Sequence, residues 1–278
     1  MQLHRVWQPL IHKRVVIFSA AVILSRMKNP LLNDNEREHY TRQLQITGWG
    51  EDAQQKLKSA RIGIAGLGGL GSPVSLYLTA LGAGTIVAAD NDTVSRSNLN
   101  RQILYTENDL GEEKTEIAAR RLTELNPHVH IETVKKKITD RTVTSIFDDC
   151  DIIIDCLDNF EARFALNRFA VANHIPFIHT GIRGFYGQLF TVHPPDTPCL
   201  ACFLSDYSSD RSAPTPVCGP TAGVLGSLEV IEAVYILTGI EQPHYGKLLI
   251  VDLKTMSIEQ VSIEKKPDCP VCGENAAF

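Results

Sequence analysis

Short apolar runs alternate with stretches in which apolar residues recur every three or four positions. Residues 30 to 59 are polar and helix-forming. Asn33, Asp34 or Asn35 can cap a first helix through Glu36, Tyr40 and Leu44. Gly48 and Gly50 then break the chain, and Asp52 to Lys58 predicts a second helix. Arg61 to Ala65 is a buried-type strand running into Gly66-Leu67-Gly68-Gly69-Leu70-Gly71. A helical pattern through Val74, Leu76, Leu78 and Leu81 stops at Gly82 and Gly84. Thr85 to Ala89 is a second strand, closed by Asp90. Lys114 to Leu125 reads as an amphipathic helix ended by Asn126-Pro127, Val129 to Val134 as a strand, and Asp151 to Asp155 as a continuous apolar strand. Phe160 to Asn173 is helical and Pro176 to Thr180 extended. This repetition implies a mostly parallel sheet with helices on both faces, a Rossmann-like α/β class.

After Gly181 the rhythm changes. Tyr186 to Val192 alternates as an antiparallel strand does, Ser205 to Pro220 has no apolar period and reads as a long loop, and Thr221 to Leu237 is a strongly apolar helix. Lys247 to Asp252 and Ser257 to Ile263 close the chain as strands. With no internal repeat or low-complexity linker, residues 29–278 are expected to form one domain.

The first 28 residues stand apart. Lys13-Arg14 precedes an apolar run from Val15 to Leu24, too short to span a bilayer. It has the outline of a signal peptide but lacks a small-residue cleavage site. It is therefore expected to be an extension outside the core, with Met27 as an alternative start.

Composition narrows the classes. Of 278 residues, 44% are hydrophobic and 21% charged, and the net charge of −5 has no basic block, which argues against a nucleic-acid partner. The seven cysteines include the pairs Cys199/Cys202 and Cys269/Cys272, a pattern of a reducing, cytoplasmic setting rather than of secreted disulfides. Two such pairs suit tetrahedral Zn²⁺, tying the C-terminus to the middle of the chain; redox use of one pair is the competing reading.

The remaining chemistry gathers at strand ends. Gly66, Gly68 and Gly71 form a Gly-x-Gly-x-x-Gly turn between strand and helix, with Gly69 inside it. Such a turn presents free N–H groups to a phosphate, and Asp90 is placed for a ribose hydroxyl. A dinucleotide and ATP can both use this arrangement. Asp92, Asn98, Arg101 and Gln102 follow, and Lys114 adds a point charge for phosphates. Asp158-Asn159 stands past a buried strand, where a carboxylate can hold Mg²⁺ or cap the next helix. Cys218, just before a helix, is either an activated thiol or an inert one. Cys150 and Cys156 read as small hydrophobes, and the nine histidines form no ligand pattern.

Taken together, Arg42-Gln43, the glycine turn, Asp90 to Gln102, Lys114, Asp158-Asn159 and both cysteine pairs resemble the E1-like ThiF, MoeB and HesA adenylyltransferases over about residues 35 to 273. The resemblance implies ATP, Mg²⁺ and Zn²⁺. It implies a small ubiquitin-like sulfur carrier ending in Gly-Gly, a separate sulfur-donor protein, and a homodimer without membrane attachment. In it Asp158 binds Mg²⁺, Asp90 the ribose, and Asn98, Arg101 and Lys114 the phosphates. Arg42 reaches the neighbouring subunit's triphosphate, and Cys218 takes part in sulfur transfer. Thiamin and molybdopterin pathways both fit. Leu157 departs from the Thr of many relatives. An NAD-dependent dehydrogenase is the competing enzyme class, and a non-catalytic carrier-binding scaffold the competing binding class.

Overall fold

The computed structural model describes residues 31–204, 215–274 and 276. The N-terminal extension and most of the Ser205–Pro220 loop therefore lie outside the described residues.

The helical start matches its capping signal. Asn33 caps α1 (Asp34–His39): its side chain accepts from the Glu36 N–H at 3.0 Å, and Glu36 accepts in return from the Asn33 N–H at 2.9 Å. The single helix expected here is broken at Tyr40, and α2 (Thr41–Leu44) follows. The tyrosine is held by tertiary contacts, its hydroxyl accepting from Asn126 Nδ2 at 2.9 Å. Next come α3 (Gly50–Ser59), β1 (Arg61–Ala65), α4 (Gly71–Ala80), β2 (Thr85–Ala89), α5 (Lys114–Leu125) and β3 (His130–Val134). A short helix that the pattern did not announce, α6 (Val143–Phe147), precedes β4 (Ile152–Asp155). Its Phe147 fills space that a side chain at Gly63 would occupy, since a Cβ there would lie 2.8 Å from the ring.

The chain continues through α7 (Phe160–Asn173), β5 (Phe177–Arg183), β6 (Tyr186–Val192), α8 (Gly219–Thr238), β7 (Lys247–Asp252) and β8 (Ser257–Ser262). One eight-stranded sheet results, in the order β3-β2-β1-β4-β5-β6-β7-β8. Strands β3 to β5 of that order are parallel, and β5 to β8 antiparallel. The mostly parallel α/β class with an antiparallel continuation is therefore observed. β5 runs three residues past its expected end because it pairs with β6 as far as Arg183↔Tyr186.

Alternate residues of the buried strands feed two cores. Ile62, Ile64, Ile86, Ile152 and Ile154 join Leu57, Val74, Leu78, Leu122 and Leu225 on one face. Val87, Ala89, Ile153 and Phe177 join Phe147, Leu166, Phe169 and the cysteine pairs on the other. Burial on both faces explains the uninterrupted apolar strands. Helix α8 is long and apolar enough to cross a membrane, but it is a core helix: it packs on α4 and the sheet and buries Glu229 and Glu232.

Candidate active site

Chain order reverses direction across the sheet between β1 and β4, and ligands of open α/β sheets bind outside the strand carboxyl ends at such a point. The glycine turn leaves β1 here. Gly66 has φ +97°, and a Cβ on it would stand 2.9 Å from the Cys156 carbonyl oxygen. A Cβ on Gly71 would stand 2.0 Å from the Gly66 carbonyl oxygen. Both positions need glycine, one for conformation and one for space. At the start of α4 the Ser72 N–H already donates to the Gly68 carbonyl at 2.9 Å and Pro73 carries no N–H, so the donors left for an anion are those of the turn itself.

Asp90 braces this turn. One carboxylate oxygen accepts from the Leu67 N–H at 2.7 Å, the other from the Asp92 N–H at 2.8 Å. Each oxygen keeps a second lone pair for a ribose hydroxyl. Lys114 is buried at the start of α5, and its Nζ lies 3.0 Å from Asp92 Oδ2. Asp92 thus holds the ammonium of the proposed phosphate ligand. Gln102 is buried beneath the turn, its Nε2 3.5 Å from where a Gly68 Cβ would be. Arg101 lies alongside, its Cγ 3.5 Å from the corresponding point at Gly69. Its Nη1 donates to the Ser97 carbonyl and to Asn100 Oδ1, each at 2.9 Å. Asn98 Oδ1 accepts from the Ser95 N–H at 3.1 Å, so the Asn98 amide NH₂ is the end suited to a phosphate.

Two other segments close on the same place. Cys218 is the N-cap residue of α8 and is half-buried. A Cβ on Gly219 would be 2.4 Å from the Asn100 carbonyl oxygen, and Ala222 Cβ is 3.6 Å from the Gly69 point. The Cys218 N–H donates to the Gly184 carbonyl at 3.3 Å, pinning this segment to the β5–β6 hairpin. Opposite, Asp158 is exposed past β4. Asn159, not Asp158, caps α7, accepting from the Ala162 N–H at 2.9 Å. That settles which neighbour serves the helix and leaves the Asp158 carboxylate outward; the Asn159 side-chain oxygen is committed to the cap.

Residues 40–271 match the ThiF family. The chain belongs to the ThiF family. Among similar proteins is the sulfur carrier protein ThiS adenylyltransferase of Escherichia coli, 37% identical over 88% of this chain and 99% of its own length. The molybdopterin-synthase adenylyltransferase of the same species is 34% identical over 87% and 99%. The SAMP-activating enzyme E1 of Haloferax volcanii is 35% identical over 87% and 91%. Among solved structures, E. coli MccB with ATP superposes with TM-score 0.75 at 25% identity, covering 87% of this chain and 75% of that one. MccB with MccA-N7isoASN gives 0.77 at 25% identity, covering 84% and 75%.

Arg42 and the cysteine pairs lie elsewhere in this ThiF-family fold. Gln43 Nε2, beside Arg42, donates to the Leu81 carbonyl at 2.9 Å, just past the end of α4 remote from the turn. Ten helical residues make that about 15 Å, more than an arginine side chain spans. Arg42 is exposed there. Cys199, Cys202, Cys269 and Cys272 bring their sulfurs within 4.8 Å of one another in the second core. The Cys199–Cys269 and Cys202–Cys272 separations are 3.7 and 3.4 Å. Disulfides would need about 2 Å, whereas tetrahedral zinc with bonds of about 2.3 Å wants sulfurs about 3.8 Å apart. The donor set fits zinc with no position left open. Burial pushes the Cys272 thiol up to about 11, and a bound dication would reverse that by stabilising thiolate.

Behind the site lies a buried polar group that no local sequence pattern marks on its own. Asp155 Oδ2 accepts from Arg163 Nε at 2.7 Å and faces His179 Nδ1 at 2.8 Å. Burial raises the Asp155 carboxyl, but the Arg163 guanidinium and His179 outweigh it, so it stays ionised. Burial and the Arg163 charge lower His179, keeping the imidazole neutral. Glu229 is fully buried 3.9 Å from Cys156 Sγ, and desolvation lifts its carboxyl well above the usual range. The available signal was a charged residue inside each of two apolar helices, Arg163 and Glu229, together with Asp155 ending an all-isoleucine strand.

Proposed function

We propose that this ThiF-family protein uses ATP to adenylate the C-terminal glycine carboxylate of a small ubiquitin-like sulfur carrier. The observation that carries this is the meeting of the glycine turn with Asp90 and Arg101 past the ends of β1 and β2, with Lys114 held nearby by Asp92 and Leu157, the neighbour of Asp158, against Gly66. The similarity to two sulfur-pathway adenylyltransferases over nearly their whole length supports it.

In the proposed reaction a carboxylate oxygen of the carrier's tail forms a bond to the α-phosphorus. The bond to the bridging oxygen breaks, and pyrophosphate leaves with its electron pair. The carboxylate is already ionised, so no general base is required. The obstacle is repulsion between two anions, and fixed positive groups oppose it with little reorganisation. Backbone N–H groups of the glycine turn meet phosphate oxygens. Arg101 gives a planar donor pair, and Lys114, held by Asp92, a point charge. Asp90 fixes the ribose and with it the α-phosphate. Asn98 and Gln102 complete the polar lining. Asp158 is the candidate ligand for Mg²⁺, which when bound neutralises phosphate charge.

Arg42 lies too far from the turn of its own chain, which supports its use in trans and hence a homodimer. Exposed Tyr77, Val224 and Ile231 on the packed helices α4 and α8 supply apolar surface for such a partner. The cysteine cluster is proposed as a structural zinc clasp, residues 29–278 as one domain, and the cytoplasm as the setting. Cys218 is proposed for the later sulfur-transfer step, with sulfur from a separate donor protein.

The test is exchange of labelled pyrophosphate into ATP in the presence of a Gly-Gly-ended carrier. Exchange is expected, and Asp158→Ala is expected to abolish it. Absence of any ATP binding or exchange by the zinc-loaded protein with every carrier tried would overturn the proposal.

A further inference from the structure

The loop carrying Asp158 is tied to the interior on both sides of that residue. The Leu157 N–H donates to Asp155 Oδ1 at 3.1 Å, and the Leu157 carbonyl accepts from Arg163 Nη2 at 2.5 Å. On the other side Asn159 is fixed by its capping bond. Asp158 is thus an exposed side chain on a peptide whose neighbours are immobilised.

One guanidinium organises this arrangement. Arg163 Nε donates to Asp155 at the end of β4, while Nη2 donates to the loop carbonyl of Leu157 and, at 3.3 Å, to the Thr180 carbonyl in β5. Its face lies over the Phe160 ring at 5.1 Å. Arg163 is 6% exposed in a helix whose other buried positions are mainly Ala, Leu and Phe. A buried ion pair is a poor device for stability alone, because desolvation offsets much of the attraction. A planar fork does fix direction, since its donors hold a strand end, a loop and a second strand in one geometry.

We infer that Arg163 is a positioning residue, which aims the Asp158 carboxylate into the nucleotide crevice by clamping Leu157 against Asp155. Its donors are taken up by Asp155, Leu157 and Thr180, so the role is indirect. The inference rests on Asp158 being the magnesium ligand, and it adds what orients that ligand.

Hydrogen exchange on the wild-type protein gives the first test. The Leu157 amide is expected to exchange as slowly as amides in β4, and exchange at the rate of a free loop would overturn the clamp. The second test is Arg163→Lys, which keeps the charge and loses the fork. The Mg²⁺ concentration for half-maximal pyrophosphate exchange is expected to rise roughly tenfold, with activity recovered at high Mg²⁺ and Leu157 protection reduced. A purely structural role would lower the melting temperature without moving the Mg²⁺ dependence, and that result would refute the inference. Should Arg163→Lys not fold, Asp155→Asn/Arg163→Gln strands no buried charge and carries the same expectation. Asp158→Asn runs in parallel. Normal exchange in that variant would remove Asp158 from the reaction, whereas an inactive Asp158→Asn beside an unshifted Arg163→Lys would refute the Arg163 role alone.

Discussion

Glu229 is expected to give the protein a stability contribution that falls as pH rises. The side chain is fully buried, beside Cys156 and near ionised Asp155, and burial holds its carboxyl well above the ordinary value of 4.5. Above pH 4.5 the unfolded chain releases this proton, whereas the folded chain retains it until pH reaches the raised folded value. Across that window folding carries a penalty of about 1.4 kcal/mol per pH unit. Glu229→Gln removes the titration. The amide also needs partners in a place where Glu229 Oε1 has none, at a cost of about 1–3 kcal/mol that does not vary with pH. The slope is therefore the diagnostic quantity. Urea unfolding of both proteins at pH 5, 6 and 7 should show the variant gaining on wild type as pH rises, by up to about 1.4 kcal/mol per unit. Other groups largely cancel in the difference. Asp155 is depressed, so its contribution is lost only as pH falls below the ordinary carboxylate value of 3.8 and through its lower folded value. His179, also depressed, is neutral in both folded proteins. A stability difference independent of pH would show that Glu229 is ionised in the folded protein and refute the reasoning.

Gly71→Ala places a methyl 2.0 Å from the Gly66 carbonyl oxygen, so the turn must open. ATP affinity by calorimetry is expected to drop at least tenfold, and unchanged binding would remove the turn from the nucleotide site. Cys269→Ser leaves the clasp with three thiolates and an alcohol. Bound zinc by metal analysis should fall well below one per chain with a marked loss of melting temperature, and full zinc retention would contradict the clasp. Cys218→Ala is expected to form the acyl-adenylate yet fail to pass sulfur to the carrier, read by mass of the carrier's tail. Intact transfer would return Cys218 to the standing of an inert thiol.

Where local chemistry decides structure, the sequence alone is enough. β1, β2, α5, α7, β6 and β7 begin and end where apolar period, Gly and Asn-Pro signals put them. The glycine turn needed only its strand–helix context. The break at Tyr40 was not readable, because a hydroxyl bond to Asn126, 86 residues away, sets it. Nor was α6, whose burial depends on the space left by Gly63. At the site, sequence left Asp158 and Asn159 as rival caps; the bond from the Ala162 N–H decided between them.

By itself the sequence determined the α/β class, the glycine turn and the paired thiols, because each depends on residues close together in the chain. Tertiary structure alone decided that Lys114 pairs with Asp92, that Arg42 stands at the far end of α4, and that Arg163, Asp155 and His179 meet behind the Asp158 loop. A buried charge requires a partner, and which partner it obtains is fixed by how strands and helices distant in sequence come to pack.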